Sequence, residues 1–262
     1  MVSRDRDLYL EVMTLSDEEL ERYARHIILK EIGGAGQMRI KDARVLVVGA
    51  GGIGSPAIQY LAAAGVGRIS IIDDDRVELS NLQRQTIFAT SDTGRSKAVA
   101  AMARAEALNP HIELLAWQHR INGGNVDEYV RGHDAVLDGT DNFDTRLIVA
   151  DAAFRHRIPL ISAAVGEFEG QLGVFRGWEA DKPCYRCFTG GAPETPGINC
   201  AEQGVIGALT GLMGSLAALE TIRAIVPFGE DSAGKLLIAD TLALRFRTLA
   251  LPKDPGCPAC AD

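Results

Sequence analysis

At 262 residues the chain has room for one large domain or two small ones, and 47% hydrophobic with 24% charged residues is the balance of a globular protein with its own core. That composition excludes disordered, collagenous and fibrous classes, and a core of this size needs no disulfide staples. Lys plus Arg number 27 against 35 Asp plus Glu, a net charge of −8. No basic face for nucleic acid or an anionic membrane is expected, so any phosphate ligand must be held by local groups.

In chain order, Arg4, Asp5, Arg6, Asp7 and Glu11 leave no apolar stretch for a signal peptide, so a cytoplasmic address is expected. Ser16 with Glu19 three residues on forms a capping-box pattern, which predicts a helix to about Lys30, ending before a Gly33-Gly34-Ala35-Gly36 turn. Val45 to Val48 is a short all-apolar run, as in a strand buried on both faces. A helix over Ser55 to Ala64 stops at Gly65-Val66-Gly67, and Arg68 to Ile72 is the next strand. Ser96 to Leu108 reads as a helix closed by Asn109-Pro110. Glu113 to Trp117 and Ala135 to Leu137 read as strands, and Phe143 to His156 as a helix. Pro159 to Ala163 and Leu172 to Arg176 are further strands, and Phe188 to Asn199 is loop-like. The longest uncharged apolar run, Gly204 to Leu219, falls short of the ~20 residues a membrane span needs. Gly207 to Ile225 is therefore expected to be a buried Gly/Ala-rich helix. Leu236 to Ala239 and Leu244 to Leu249 close the chain as an antiparallel pair. Alternating strands and helices predict an α/β, Rossmann-like, mainly parallel sheet with flanking helices.

Four of the five cysteines form two CxxC pairs, Cys184 with Cys187 and Cys257 with Cys260, and Cys200 stands alone. In a reducing compartment, four thiolates in paired two-residue spacings suit a closed tetrahedral zinc site that ties the tail to the body. The histidines His26, His111, His119, His133 and His156 show no ligand spacing and are read as surface or core residues.

Gly49-Ala50-Gly51-Gly52-Ile53-Gly54 is a GxGxxG between a predicted strand and a predicted helix, and Asp73 ends the following strand. Small residues let the backbone approach phosphates, the helix N-terminus offers free N–H groups, and the acid can accept from ribose hydroxyls. This predicts a nucleotide site and leaves NAD and ATP open.

The segment Asp73-Asp74-Asp75-Arg76-Val77-Glu78-Leu79-Ser80-Asn81-Leu82-Gln83-Arg84-Gln85, then Lys97, then Thr140-Asp141-Asn142, resembles the ThiF/MoeB/HesA family, bacterial relatives of the ubiquitin-activating enzymes. The likeness runs from Arg22-Tyr23-Ala24-Arg25 to the last cysteine. It implies one adenylating domain over residues 1–262. The N-terminal helical arm would cover about 1–42, the nucleotide-binding part about 43–165, and the zinc and carrier-facing part with its antiparallel strands about 166–262. It implies that ATP with Mg²⁺ adenylates the C-terminal glycine carboxylate of a ubiquitin-like sulfur carrier ending in Gly-Gly, for sulfur transfer in thiamin or molybdenum-cofactor biosynthesis.

The residues suit that chemistry. A carboxylate attacking the α-phosphorus meets repulsion, and the transition state gathers charge on phosphate oxygens. Arg84 and Lys97 supply positive charge, and Asn81 can donate to phosphate or hold its loop. Asp141 lies at the carboxyl edge of the sheet as the expected Mg²⁺ ligand, beside Asn142. The resemblance adds Arg25, which in relatives reaches the nucleotide of a partner subunit, and so implies a homodimer. His26 stands where the family often has Gln, and Phe188-Thr189-Gly190-Gly191 is more Gly-rich than usual. No rhodanese-like segment is seen, so any sulfur donor is expected to be separate. Cys200, in Asn199-Cys200-Ala201-Glu202 ahead of the apolar helix, has two open readings: a nucleophile that bonds to the carrier, or an idle thiol. Two other classes compete with the adenylating one: an NAD(P)-dependent oxidoreductase, and a non-catalytic module that binds a ubiquitin-like partner. The first has no use for Arg84, Lys97 or the cysteine pairs, and the second should have lost Arg84, Lys97 or Asp141.

Overall fold

The computed structural model describes residues 15–190 and 204–261. An N-terminal arm of three helices, α1 (Asp17–Arg22), α2 (Ala24–Ile27) and α3 (Gly33–Asp42), leads into strand β1 (Arg44–Val48). Then follow α4 (Gly54–Ala64), β2 (Arg68–Ile72), α5 (Lys97–Leu108), β3 (Glu113–Trp117), α6 (Val126–Val130), β4 (Ala135–Asp138), α7 (Phe143–Arg155) and β5 (Leu160–Gly166). The rest comprises β6 (Glu169–Phe175), α8 (Tyr185–Thr189), α9 (Gly207–Ile225), β7 (Lys235–Asp240) and β8 (Arg245–Ala250).

All eight strands join one sheet in the order β3-β2-β1-β4-β5-β6-β7-β8. Strands β1 to β5 run parallel, and β5 to β8 pair antiparallel. The buried apolar run of β1 explains why it takes the centre. Val45 and Val47 face the core shared with α4, α5 and α9, while Leu46 and Val48 face the one shared with α6 and α7. Fully burying each such side chain contributes about 1.5–3 kcal/mol. Hence the helices cover both faces of the parallel half. The open edge, β8, is exposed along its length and carries Arg245 and Arg247, the kind of charged edge that resists sheet-to-sheet pairing.

Helix boundaries follow local chemistry. Ser16 Oγ accepts from Glu19 N–H and Glu19 Oε2 accepts from Ser16 N–H, completing the predicted capping box. Ser96 and Asn142 cap α5 and α7, and Gly65 ends α4 in the left-handed region at φ +81°. The predicted helix to Lys30 is instead broken at Tyr23. That ring is 3% exposed, its hydroxyl accepts from Asn109 Nδ2 at 2.8 Å, and a Cβ on Gly65 would sit 2.4 Å from it. Burying the ring fixes where the backbone must turn. The predicted Gly33–Gly36 turn is also corrected, since these glycines open α3. A Cβ on Gly36 would lie 3.1 Å from both Ile32 and Val226, so small residues serve close helix packing here. Helix α9 matches its expected limits. It is the one described helix long and apolar enough to cross a membrane, and 44% of its most apolar 18-residue stretch is buried, with α4 and β5 among its neighbours.

Candidate active site

The chain runs from β1 outward to β2 and β3, then returns to β4 on the other side of β1. Ligands of such sheets bind outside the strand carboxyl ends at this reversal. A cavity of about 390 Å³ lies there. Its wall takes Gly49, Gly51 and Gly52 from the end of β1, Asp73 to Asp75 from β2, His119 to Ile121 from β3, and Gly139 to Asn142 from β4. Arg84, Gln85, Lys97, Arg146 and Thr210 also line it.

Gly49 adopts φ +88°, which lets the chain turn from β1 into α4. Gly54 is needed for a different reason: a Cβ there would stand 2.0 Å from the Gly49 carbonyl oxygen. It closes the turn from beneath and is not part of the cavity wall. Asp73 braces the same turn, since its Oδ2 accepts from Ala50 N–H at 2.8 Å and its Oδ1 from Asp75 N–H at 2.9 Å. Burial raises its carboxyl above the ordinary range, against the pull of Lys97. Lys97, 6% exposed in the first turn of α5, pairs with Asp75 Oδ2 at 2.7 Å. Arg84 Nη1 donates to the Ser80 carbonyl at 3.2 Å, and the residue is half-buried beside the cavity. Asp141 is exposed, and Asn142 Oδ1 accepts from Thr145 N–H at 2.9 Å as the cap of α7.

The Ser80–Gln85 motif divides its labour. Ser80, Asn81, Leu82 and Gln83 are outside the cavity wall. Asn81 is buried and its Oδ1 accepts from Glu78 N–H at 3.4 Å, so of its two expected roles it has the loop-holding one. Leu82 packs against the core, and a Cβ on Gly207 would lie 2.2 Å from the Gln83 carbonyl, which seats the start of α9. Only Arg84 and Gln85 enter the wall. Gln85 is 4% exposed, and its Oε1 is buried without a hydrogen-bond partner among the described residues.

Gln85, His119, Arg120 and Arg146 are cavity-wall residues outside the expected set. Gln85 was readable as the neighbour of Arg84 in the motif, and His119 and Arg120 as the residues at the end of a parallel strand. Arg146 gave no local signal. Arg25 is exposed on α2 and is not part of this cavity's wall. Cys200 lies outside the described residues.

The four paired cysteines meet as expected. Cys184 Sγ is 3.8 Å from Cys187 Sγ and 3.5 Å from Cys257 Sγ, and Cys187 Sγ is 3.4 Å from Cys260 Sγ. All four sulfurs lie within 4.8 Å of one another. Tetrahedral zinc with bonds of about 2.3 Å would set its sulfurs about 3.8 Å apart, so the spacing and the donor set fit that ion. Burial pushes Cys184 up and takes Cys260 to about 11, while the N–H groups of Ala259 and Cys260 pull Cys257 down against its own burial. Without a cation, four clustered thiolates would repel; a divalent ion makes all four thiolates compatible. Arg186, inside the first pair, makes a two-pronged ion pair with Asp151 of α7 at 2.7 Å in each prong.

A protein-family model described as the ThiF family matches residues 23–259. The chain is 44% identical over 255 residues to the sulfur carrier protein adenylyltransferase of Thermus thermophilus, across 95% of this chain and 94% of that one. It is 43% identical to the SAMP-activating enzyme E1 of Haloferax volcanii, across 95% and 92%. With the molybdopterin-synthase adenylyltransferase of Salmonella typhimurium it shares 40% identity, across 95% and 99%. Among solved structures, Escherichia coli MccB with ATP has the same fold, with a TM-score of 0.78 at 20% identity over 97% of this chain and 85% of that one.

Proposed function

The chain belongs to the ThiF family, and on that premise we propose that it is an ATP-dependent adenylyltransferase of a ubiquitin-like sulfur carrier. The observation that carries this reading is the convergence of Gly49, Gly51, Gly52, Asp73, Arg84, Lys97 and Asp141 on one cavity at the sheet reversal. The Gly-rich turn and the α4 N-terminus would receive phosphates, and Asp73 the ribose hydroxyls. Arg84 and Lys97 would lower the barrier as the carrier's glycine carboxylate attacks the α-phosphorus and pyrophosphate leaves. Lys97 would then exchange its bond to Asp75 for one to phosphate. Asp141 would hold Mg²⁺, which supplies charge neutralisation on the phosphates. Neither a hydride-transfer enzyme nor a module that only docks a partner gives that set of groups a common purpose.

The single sheet supports reading the described residues as one adenylating domain. The partner is a Gly-Gly-ended carrier of the thiamin or molybdenum-cofactor type, with sulfur delivered by a separate donor in the cytoplasm. A homodimer would let Arg25 of each subunit serve the other's nucleotide. Cys184, Cys187, Cys257 and Cys260 would hold one structural zinc. Adenylation itself needs no thiol, because the attacking group is the carrier's own carboxylate. Cys200 would act only afterwards, so Cys200→Ser should keep pyrophosphate exchange and lose any reductant-sensitive adduct with the carrier. The decisive experiment is exchange of labelled pyrophosphate into ATP, expected only with Mg²⁺ and a Gly-Gly-ended carrier. Equal exchange without a carrier would remove this function.

A further inference from the structure

Asp138, Thr140, Arg146 and Ser162 form a polar cluster beneath the residue proposed as the metal ligand. Asp138, the last residue of β4, is fully buried, and both its oxygens accept hydrogen bonds from protein groups. Its Oδ1 accepts from Thr140 N–H at 3.1 Å and from the Thr140 hydroxyl at 2.7 Å. Its Oδ2 accepts from Arg146 Nη1 at 3.3 Å and from the Ser162 hydroxyl at 3.0 Å. Arg146, in the first turn of α7 and 8% exposed, donates from Nη1 to Ser162 Oγ at 3.0 Å as well. Its Nη2 donates to the carbonyls of Thr140 and, at 2.8 Å, Ala163. Thr140 is thus gripped at its N–H, hydroxyl and carbonyl, and Asp141 is the next residue.

We propose that Arg146 and Asp138 are positioning residues for ATP activation: they fix the Thr140–Asp141–Asn142 loop so that the Asp141 carboxylate is presented to the metal–triphosphate. Although Arg146 lines the cavity, its terminal nitrogens already donate to protein acceptors on β4, β5 and the loop. Its fork, which Lys cannot reproduce, spans acceptors on both neighbouring strand ends. The loop is clamped from the other side too. Gly139 N–H donates to the Val48 carbonyl at 3.0 Å, and a Cβ on Gly49 would lie 3.3 Å from the Gly139 carbonyl oxygen. The metal-holding loop and the phosphate-holding turn are therefore set against each other before any ligand arrives, which is what positioning demands.

This role rests on the proposed nucleotide chemistry, and its test needs neither carrier nor turnover. ATP affinity is measured by calorimetry with Mg²⁺ and with chelator, for wild type, Arg146→Lys, Asp141→Ala and the double variant. Thr140→Val serves as a second, gentler probe that removes one hydroxyl, and each variant is first checked for a cooperative thermal transition. Positioning predicts that Arg146→Lys and Thr140→Val weaken binding about tenfold with Mg²⁺, leaving metal-free ATP binding unchanged, as expected for lost charged or buried hydrogen bonds. It further predicts that the double variant is no weaker than Asp141→Ala alone, because both act through one carboxylate. Additive losses, or equal losses with and without Mg²⁺, would overturn it and make Arg146 a direct phosphate contact. A wild type that binds no MgATP would instead sink the proposed activity, and this role with it.

Discussion

The cavity at the sheet reversal, proposed to take the nucleotide, and the four-cysteine cluster sit at opposite ends of one design choice. At the cavity, groups are braced from behind while their working atoms face open space: Asp73 is held by two backbone N–H groups, and Asp141 is exposed beyond a clamped threonine. In the cysteine cluster the four sulfurs converge on one another, Cys187 Sγ also accepting from Asp254 N–H at 3.4 Å, and three of the four residues are buried. An adenylating site has to leave coordination positions vacant for phosphate and metal, whereas a site that only holds the chain together uses every donor it has. The parallel half provides the first because its strand ends open at a reversal. The antiparallel half provides the second because the chain's end folds back onto α8.

Substitutions in the two regions should therefore separate chemistry from stability. The largest effect is expected for Asp141→Ala, which should cut pyrophosphate exchange by about 100-fold or more, the scale of removing electrostatic support from developing phosphate charge. Its melting temperature should stay within a few degrees of wild type, since the side chain is exposed and, among the described residues, makes no hydrogen bond or ion pair. Wild-type exchange in that variant would take Asp141 out of the mechanism.

Cys257→Ser should do the opposite. Zinc content, expected at about one per chain by elemental analysis, should fall, and a loss of about 3 kcal/mol would lower the melting temperature by roughly 6–12 °C. Exchange by the protein that remains folded should change less than stability does. An equally stable variant would dissolve the contrast between the regions.

Gly54→Ala tests the boundary between bracing and chemistry. The added Cβ would collide with the Gly49 carbonyl, so the turn must open. ATP affinity should drop by about tenfold, with a smaller loss of stability than in Cys257→Ser, because strain of about 1–3 kcal/mol is what such a turn can absorb. Unchanged affinity would show that the turn does not touch the phosphates.

The smallest effect belongs to the N-terminal arm, outside both regions. Against the burial that raises it, the Glu19 carboxyl is held below its ordinary 4.5 by Lys41, 2.8 Å away, and by the Ser16 N–H. A depressed folded value means that its stabilisation is present above the unfolded value near 4.5 and is lost as pH falls through the lower folded value. Glu19→Gln should flatten the stability–pH curve below pH 4.5 by no more than about 1 kcal/mol and leave exchange at neutral pH untouched. A larger change would mean that the arm couples to the cavity.

Much of this was legible from local pattern. The Val45–Val48 run has no face that could tolerate water, so a central strand was the remaining choice. Asp73 and the Gly-rich turn announce each other by spacing, and the cysteine pairs by count. The break at Tyr23 was not legible, because its cause is a ring packed against Gly65 and Asn109, residues more than forty positions away in the chain. Nor was the division within Ser80–Gln85. The motif names six residues, but which of them face a ligand depends on how the turn is rolled against α9.

By itself, then, the sequence determined what is carried by composition, periodicity and short spacing: the alternating α/β order, the caps, the Gly-rich turn and the four paired cysteines. The caps and the turn follow from interactions between residues within a turn or two of each other, and the cysteine set from the two-residue spacing inside each pair. Tertiary structure alone decided which polar groups are consumed by the fold and which are left for a ligand. Arg146 shows why: in the sequence it is one more helix cation, and only when β4, β5 and the Thr140 loop are brought together do their carbonyls and carboxylate take up its fork. A hydrogen bond is satisfied in space, so its partner cannot be read from the neighbouring letters.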